Sequence, residues 1–126
     1  MICGSVNDQL EPWIELAIYD RHGESHPVHA LLDTGFNGYL TLPTSWLRDL
    51  GLDCVGQTRV TLADGNEIVS DFFIAEAHWD GKIVTIDVEA ADTDPLVGMA
   101  LLAGHDLQMR VIPNGDVAIS AIPEDG

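Results

Sequence analysis

The chain has 126 residues, with 21 acidic side chains against 5 basic ones and a formal charge of −16. That length suits one domain, 1–126, which buries roughly two thirds of its extended-chain surface, and an apolar fraction of 46% excludes general disorder. With Lys82 the single lysine, no basic face exists to neutralise phosphates, which excludes nucleic acid and anionic membranes as partners.

Met1–Asp8 lacks the basic start and apolar stretch of a secretory signal. No apolar run reaches the roughly 18 residues of a membrane span. Cys3 and Cys54 are too few for a disulfide framework and read as reduced thiols, so a cytoplasmic location is expected. Trp13 to Asp20 alternates, with Ile14, Leu16 and Ile18 on one face, and predicts a half-buried strand. Arg21–Ser25 turns the chain, and His26 to Asp33 returns with Ala30-Leu31-Leu32 buried. Gly35 and Gly38 bracket a bend before a strand at Tyr39–Leu42. Pro43 suits a first helical turn, Trp46, Leu47 and Leu50 share a face, and Gly51 stops the helix. Thr58–Leu62 and Glu67–Ala77 read as strands joined by the tip Ala63-Asp64-Gly65-Asn66, and Asp80-Gly81 leads into a strand at Lys82–Ala90. Gly98–Leu107 has room for one more short helix. Pro113–Asp116 turns between strands at Met109–Ile112 and Val117–Ile122. The sum is about eight strands, a mainly β fold with one or two short helices, folded over or closed into a barrel.

One tripeptide stands apart from this background. Asp33-Thr34-Gly35 directly follows Ala30-Leu31-Leu32, and an ionisable carboxylate at the end of a buried strand is costly without donors around it. Thr34 supplies a hydroxyl and an N–H, while Gly35 removes the side chain that would block close backbone approach. A plainer use of Asp33 is to cap its own turn. The Asp64-Gly65 tip about thirty residues on, and Leu96-Val97-Gly98 with Leu101-Leu102 beyond it, extend the pattern.

These residues resemble the retropepsin-like aspartic proteases, over about 10–122. Leu31-Leu32-Asp33-Thr34-Gly35 is similar to that family's catalytic loop, Thr61-Leu62-Ala63-Asp64-Gly65 to its flap, and Leu96-Val97-Gly98-Met99 with Leu101-Leu102 to its apolar-Gly turn and last helix. The resemblance implies a closed, orthogonally packed β-barrel that dimerises, an endopeptidase activity, and no cofactor. Asp33, Thr34 and Gly35 become the catalytic residues, with Ala63, Asp64 and Gly65 over the substrate. After Asp-Thr-Gly the family usually carries a small residue and then Ser or Asp. Here Phe36, Asn37 and Gly38 follow, and Asn37 offers a donor to the carboxylate.

Aspartic proteolysis needs two carboxyls sharing one proton around a water, one as general base and one polarising the carbonyl. No second Asp-Thr-Gly exists, and Asp92-Thr93-Asp94-Pro95 has proline where glycine is required. The expected partner is therefore an identical chain across a two-fold axis, and the expected ligand is a peptide or protein substrate. The alternative is a dimeric domain of the same fold that binds a peptide or protein without cleaving it, a reading fed by Phe36 and by the acidic tip. Metal is not expected. His22, His26 and His29 do not converge on one point, and Asp87–Asp94 lacks calcium-loop spacing. Trp13, Trp46 and Trp79 sit in separate elements and read as core.

Doubling −16 in a dimer makes like-charge repulsion the force opposing assembly. The dimer dissociation constant is expected to fall as ionic strength rises and as mild acid charges the histidines. Sedimentation at graded salt checks this, and a salt-independent constant would place the acids away from the interface.

Overall fold

In a computed structural model, described over residues 1–61 and 63–124, strands dominate. In chain order they and two short helices are β1 (Ile2–Val6), β2 (Pro12–Tyr19), β3 (Ser25–Leu32), β4 (Leu40–Leu42), α1 (Thr44–Leu50), β5 (Cys54–Thr61), β6 (Glu67–Trp79), β7 (Lys82–Ala90), β8 (Leu96–Val97), α2 (Met99–Leu102), β9 (His105–Met109) and β10 (Asp116–Ala121). Leu62, expected to end a strand and to belong to the flap motif, lies outside the described residues.

Period-two patterning is realised where it was read. β2 buries Ile14, Leu16 and Ile18 and turns Glu15 outward; β3 buries Val28, Ala30 and Leu32. The sheet runs β5-β6-β7-β4-β8-β3-β2-β1-β10-β9, and β6 also pairs with β2 through Ala17–His78 and Ile18–Ala77. Pairings thus pass from β6 through β7, β4, β8, β3 and β2 back to β6. Ile18, Ala30, Leu40, Leu42, Ala77, Val88 and Val97, all fully buried, come from the strands of that circuit. Two contacts in it are parallel, β3 with β8 and β4 with β7. Parallel neighbours cannot be joined by a tight turn, so β8 reaches β3, and β7 reaches β4, from distant parts of the chain.

Several expectations are corrected. Among the described residues ten strands stand where about eight were read, because β1 pairs with both β2 and β10, and the two-residue β8 pairs with β3 and β4. The helix expected in Gly98–Leu107 stops at Leu102: Ala103 is extended, Gly104 takes φ 80°, and His105–Met109 is claimed by β10. That register ends β9 at Met109 and leaves Val111 and Ile112 exposed in the turn. β5 starts at Cys54 rather than Thr58, paired to Phe73 across a bulge. Pro43 precedes α1 in an extended conformation, and Gly51 ends the helix at φ 69° as expected. Of the tryptophans only Trp79 is core; Trp46 is 41% exposed, and Trp13 stacks on His29 outside the core with ring centroids 4.7 Å apart.

The β2–β3 turn fixes the register that delivers Asp33. Asp20 Oδ1 accepts from the N–H groups of His22 (2.8 Å) and Glu24 (3.0 Å), while Oδ2 accepts from His26 Nε2 at 2.7 Å. The Arg21 N–H donates to Leu50 O, tying the end of α1 to the same turn. The hydrogen bond from His26, with those from Glu24 and His22, holds the Asp20 carboxyl down to about 2 from an ordinary 3.8. Because the folded-state value is depressed, this contribution to stability is complete above about pH 4 and is lost as pH falls toward 2. Circular dichroism at fixed denaturant from pH 5 to pH 2 is expected to show less acid destabilisation in Asp20→Asn than in the parent, with the variant already weaker at pH 5.

Candidate functional site

Val28, Ala30 and Leu32 face the core, so alternation along β3 sends Leu31 and then Asp33 to the opposite face. The backbone fixes Asp33 closely. Its N–H donates to Val97 O (2.9 Å), its carbonyl accepts from the Phe36 N–H (3.1 Å), and its Oδ1 accepts from the Gly35 N–H (2.9 Å). Asn37 is exposed, and among the described residues the donor to this carboxylate is Gly35 rather than Asn37. Oδ2 has no hydrogen-bond partner among the described residues. One oxygen is anchored and the other is left for a ligand or a second carboxyl.

The start of α2 braces the loop. Helix N-termini leave N–H groups without helical partners, and here those of Met99 and Ala100 donate to Phe36 O (2.8 Å) and Gly38 O (3.1 Å), while Gly98 N–H donates to Tyr39 O (3.0 Å). Such closeness requires glycine. A Cβ on Gly98 would collide with Gly38 O and lie 2.5 Å from Phe36 Cδ2 and 2.7 Å from Phe36 O; one on Gly38 would collide with the Phe36 ring. The bulk at Phe36 is thus received by two glycines. On the other side of β8, the Leu96 N–H donates to the buried Thr41 Oγ1 at 3.0 Å.

Thr34 and Gly35 are exposed beside Asp33. Ala63, Asp64 and Gly65 lie at the β5–β6 tip, also exposed, with Gly65 at φ 85° and Asp64 accepting from both the backbone and the side-chain amide of Asn66 at 2.9 Å. Ile68 and Val69, successive residues on opposite faces of β6, are 47% and 55% exposed. This end of the hairpin therefore packs on the core with neither face. Among the described residues no hydrogen bond joins the tip to the Asp33 loop. His22, His26 and His29 do not gather. The cluster that forms is Asp20, Glu24 and His26, with potential ligand atoms within 4.8 Å of one another, in the turn that Asp20 caps.

Two supports for the loop escaped the sequence reading: Thr41, read only as a strand residue, and the donors of Met99 and Ala100. No local signal marks them, since each bonds a chain segment far away in sequence.

No family model matches the chain, and no curated protein matches it by sequence. Its backbone is similar to the crystal structure of a retropepsin-like aspartic protease from Rickettsia conorii, with a TM-score of 0.59 over 96% of this chain and 90% of that one, at 16% identity. At that identity the likeness is one of fold: the chain has the mainly β, helix-poor fold of that protease.

The glycine contacts generate a double-mutant test. Gly38→Ala meets chiefly the Phe36 ring, whereas Gly98→Ala meets backbone oxygen as well. Each is expected to cost about 1–3 kcal/mol. Adding Phe36→Ala should relieve most of the Gly38→Ala penalty and little of the Gly98→Ala penalty, measured by urea unfolding as a thermodynamic cycle.

Proposed function

We propose that the chain is an aspartic endopeptidase, a single domain over 1–126 with its core at about 10–122, that works as a homodimer. The observation that supports this most is Asp33 itself: three of its polar atoms are held by backbone, and Oδ2, on the face away from the core, has no partner among the described residues. Across a two-fold axis Asp33 would meet its counterpart. Carboxyls that close share a proton rather than both ionise.

In this mechanism the ionised Asp33 takes a proton from water as the water oxygen attacks the scissile carbonyl carbon. The protonated Asp33 of the other subunit donates to the carbonyl oxygen, forming a tetrahedral diol. Collapse of the diol breaks the C–N bond, and the amine leaves with a proton from the dyad. Thr34 would tie the two loops together, and Gly35 would let them approach. Ala63, Asp64 and Gly65 would close over an extended peptide that adds to the hairpin as a strand, so that backbone hydrogen bonds carry much of the affinity. The exposed, unpacked end of the hairpin supports that role. The reaction uses no metal ion or cofactor and is placed in the cytoplasm.

A second reading has one observation in its favour. The bond from the Gly35 N–H to Asp33 Oδ1 is also what a turn-capping aspartate makes.

Asp33→Asn keeps the Oδ1 acceptor and removes the acid. On a mixed peptide library between pH 4 and pH 7, cleavage by the parent is expected to fall by about 10²–10⁴-fold or more in the variant, while the unfolding free energy changes by less than about 1 kcal/mol. Peptide bound without cleavage at any pH would identify a binding domain. A stability loss with no peptide affinity in either protein would leave Asp33 as a turn cap.

A further inference from the structure

We infer that Glu89 selects the substrate by pairing with a lysine or arginine side chain close to the scissile bond. The inference rests on the proposed peptide site and names the chemistry it accepts.

Residues paired laterally across a sheet share a face. Leu31 stands on the face that carries Asp33; it pairs with Leu96, Leu96 with Thr41, Thr41 with Glu89, and Glu89 with Phe72. Burial along β7 agrees: Ile86 and Val88 point into the core, which turns Asp87 and Glu89 away from it. On the Asp33 face the lateral row thus runs from an apolar stretch, Leu31 and Leu96, through Thr41 to the Glu89 carboxylate and then to an aromatic ring. Glu89 also reaches the Asp33 loop, since a Cβ on Gly38 would lie 3.4 Å from its Oε1.

This carboxylate is half-buried, and among the described residues no hydrogen bond or ion pair engages it. Asp87, two residues earlier on the same face, is exposed and stays hydrated, and two acids of the β5–β6 pair have partners. Glu67 lies 3.8 Å from Arg59 Nη1, and Asp71 accepts from Gln57 Nε2 at 3.0 Å. A partly desolvated carboxylate without a partner is costly, and a cation arriving on a ligand removes that cost. Phe72 beside it gives the aliphatic stem of Lys or Arg an apolar surface to lie along. An acidic ligand side chain would meet repulsion there, in a chain already at −16.

The test separates binding from cleavage. In the Asp33→Asn background, affinities of labelled peptides carrying Lys, Gln or Glu at one scanned position are measured by fluorescence anisotropy at low salt. At one position Lys is expected to bind about 5–10-fold tighter than Gln, and Glu weaker than both. Glu89→Gln, close in shape to the parent, should erase the Lys preference, and Glu89→Arg should turn it toward Glu; thermal melts confirm that both variants are folded. A Lys preference that survives Glu89→Gln overturns the assignment, as does the absence of any Lys preference or of measurable binding by any Lys peptide. Cleavage by the parent chain is scored separately. A charge preference without cleavage removes the protease and leaves the cationic site, whereas cleavage indifferent to Lys leaves the protease and removes the role of Glu89.

Discussion

Close approach of two backbones, one from Asp33 to Gly38 and the other from Gly98 to Ala100, is the constraint on which the candidate site depends. The first segment leaves β3 and the second follows β8, strands that run parallel and are joined through half of the chain. They approach because Gly38 and Gly98 have no Cβ and because the unpaired N–H groups at the start of α2 find carbonyls in the loop. A loop carrying an acid is usually a mobile part of a protein. Here it is clamped on one side by α2 and on the other by β8, and the carboxylate inherits that order. One oxygen of that carboxylate is fixed by the Gly35 N–H, and among the described residues the other has no partner.

Around that loop the sheet divides its labour by face. One side of β2, β3, β4, β7 and β8 makes the core near the loop, and its buried residues are aliphatic. The other side, near β8, β4 and β7, is neither core nor open surface. It is a band of half-buried residues that includes Leu31, Leu96, Glu89 and Phe72, with the buried Thr41 among them. Apolar side chains left half covered, next to an oriented carboxylate, form a surface that gains by further burial. The end of the β5–β6 hairpin likewise leaves apolar side chains, Ile68 and Val69, exposed. In this protein the unsatisfied apolar surface and the unsatisfied acid lie on the same face.

Much of the fold was legible because alternation is a local property. Ile14, Leu16 and Ile18 declare a strand without reference to any other residue, and Gly51 declares the end of a helix through its own φ. Local reasoning failed where the neighbour decides. β1 carries a weak apolar pattern and exists because β2 and β10 lie on either side of it. Residues 105–107, within the span read as room for a helix, are strand because β10 takes their hydrogen bonds. Trp46 shares a helical face with Leu50 in sequence, yet that face is wider than the surface α1 has to cover, and the ring stays partly in solvent.

By itself, the sequence determined that strands predominate, that Asp33 ends one of them beside a glycine, and that a glycine-containing tip lies about thirty residues on. These follow from side-chain periodicity and from the conformations glycine alone allows, both carried within a few residues. Tertiary structure alone decided which atoms meet: Gly35 rather than Asn37 on the carboxylate, Met99 and Ala100 against the loop, and Glu89 on the Asp33 face. The reason is register. A pairing shifted by one residue would move Glu89 to the other face, and that register is set by packing across the whole sheet, which no short stretch of chain encodes.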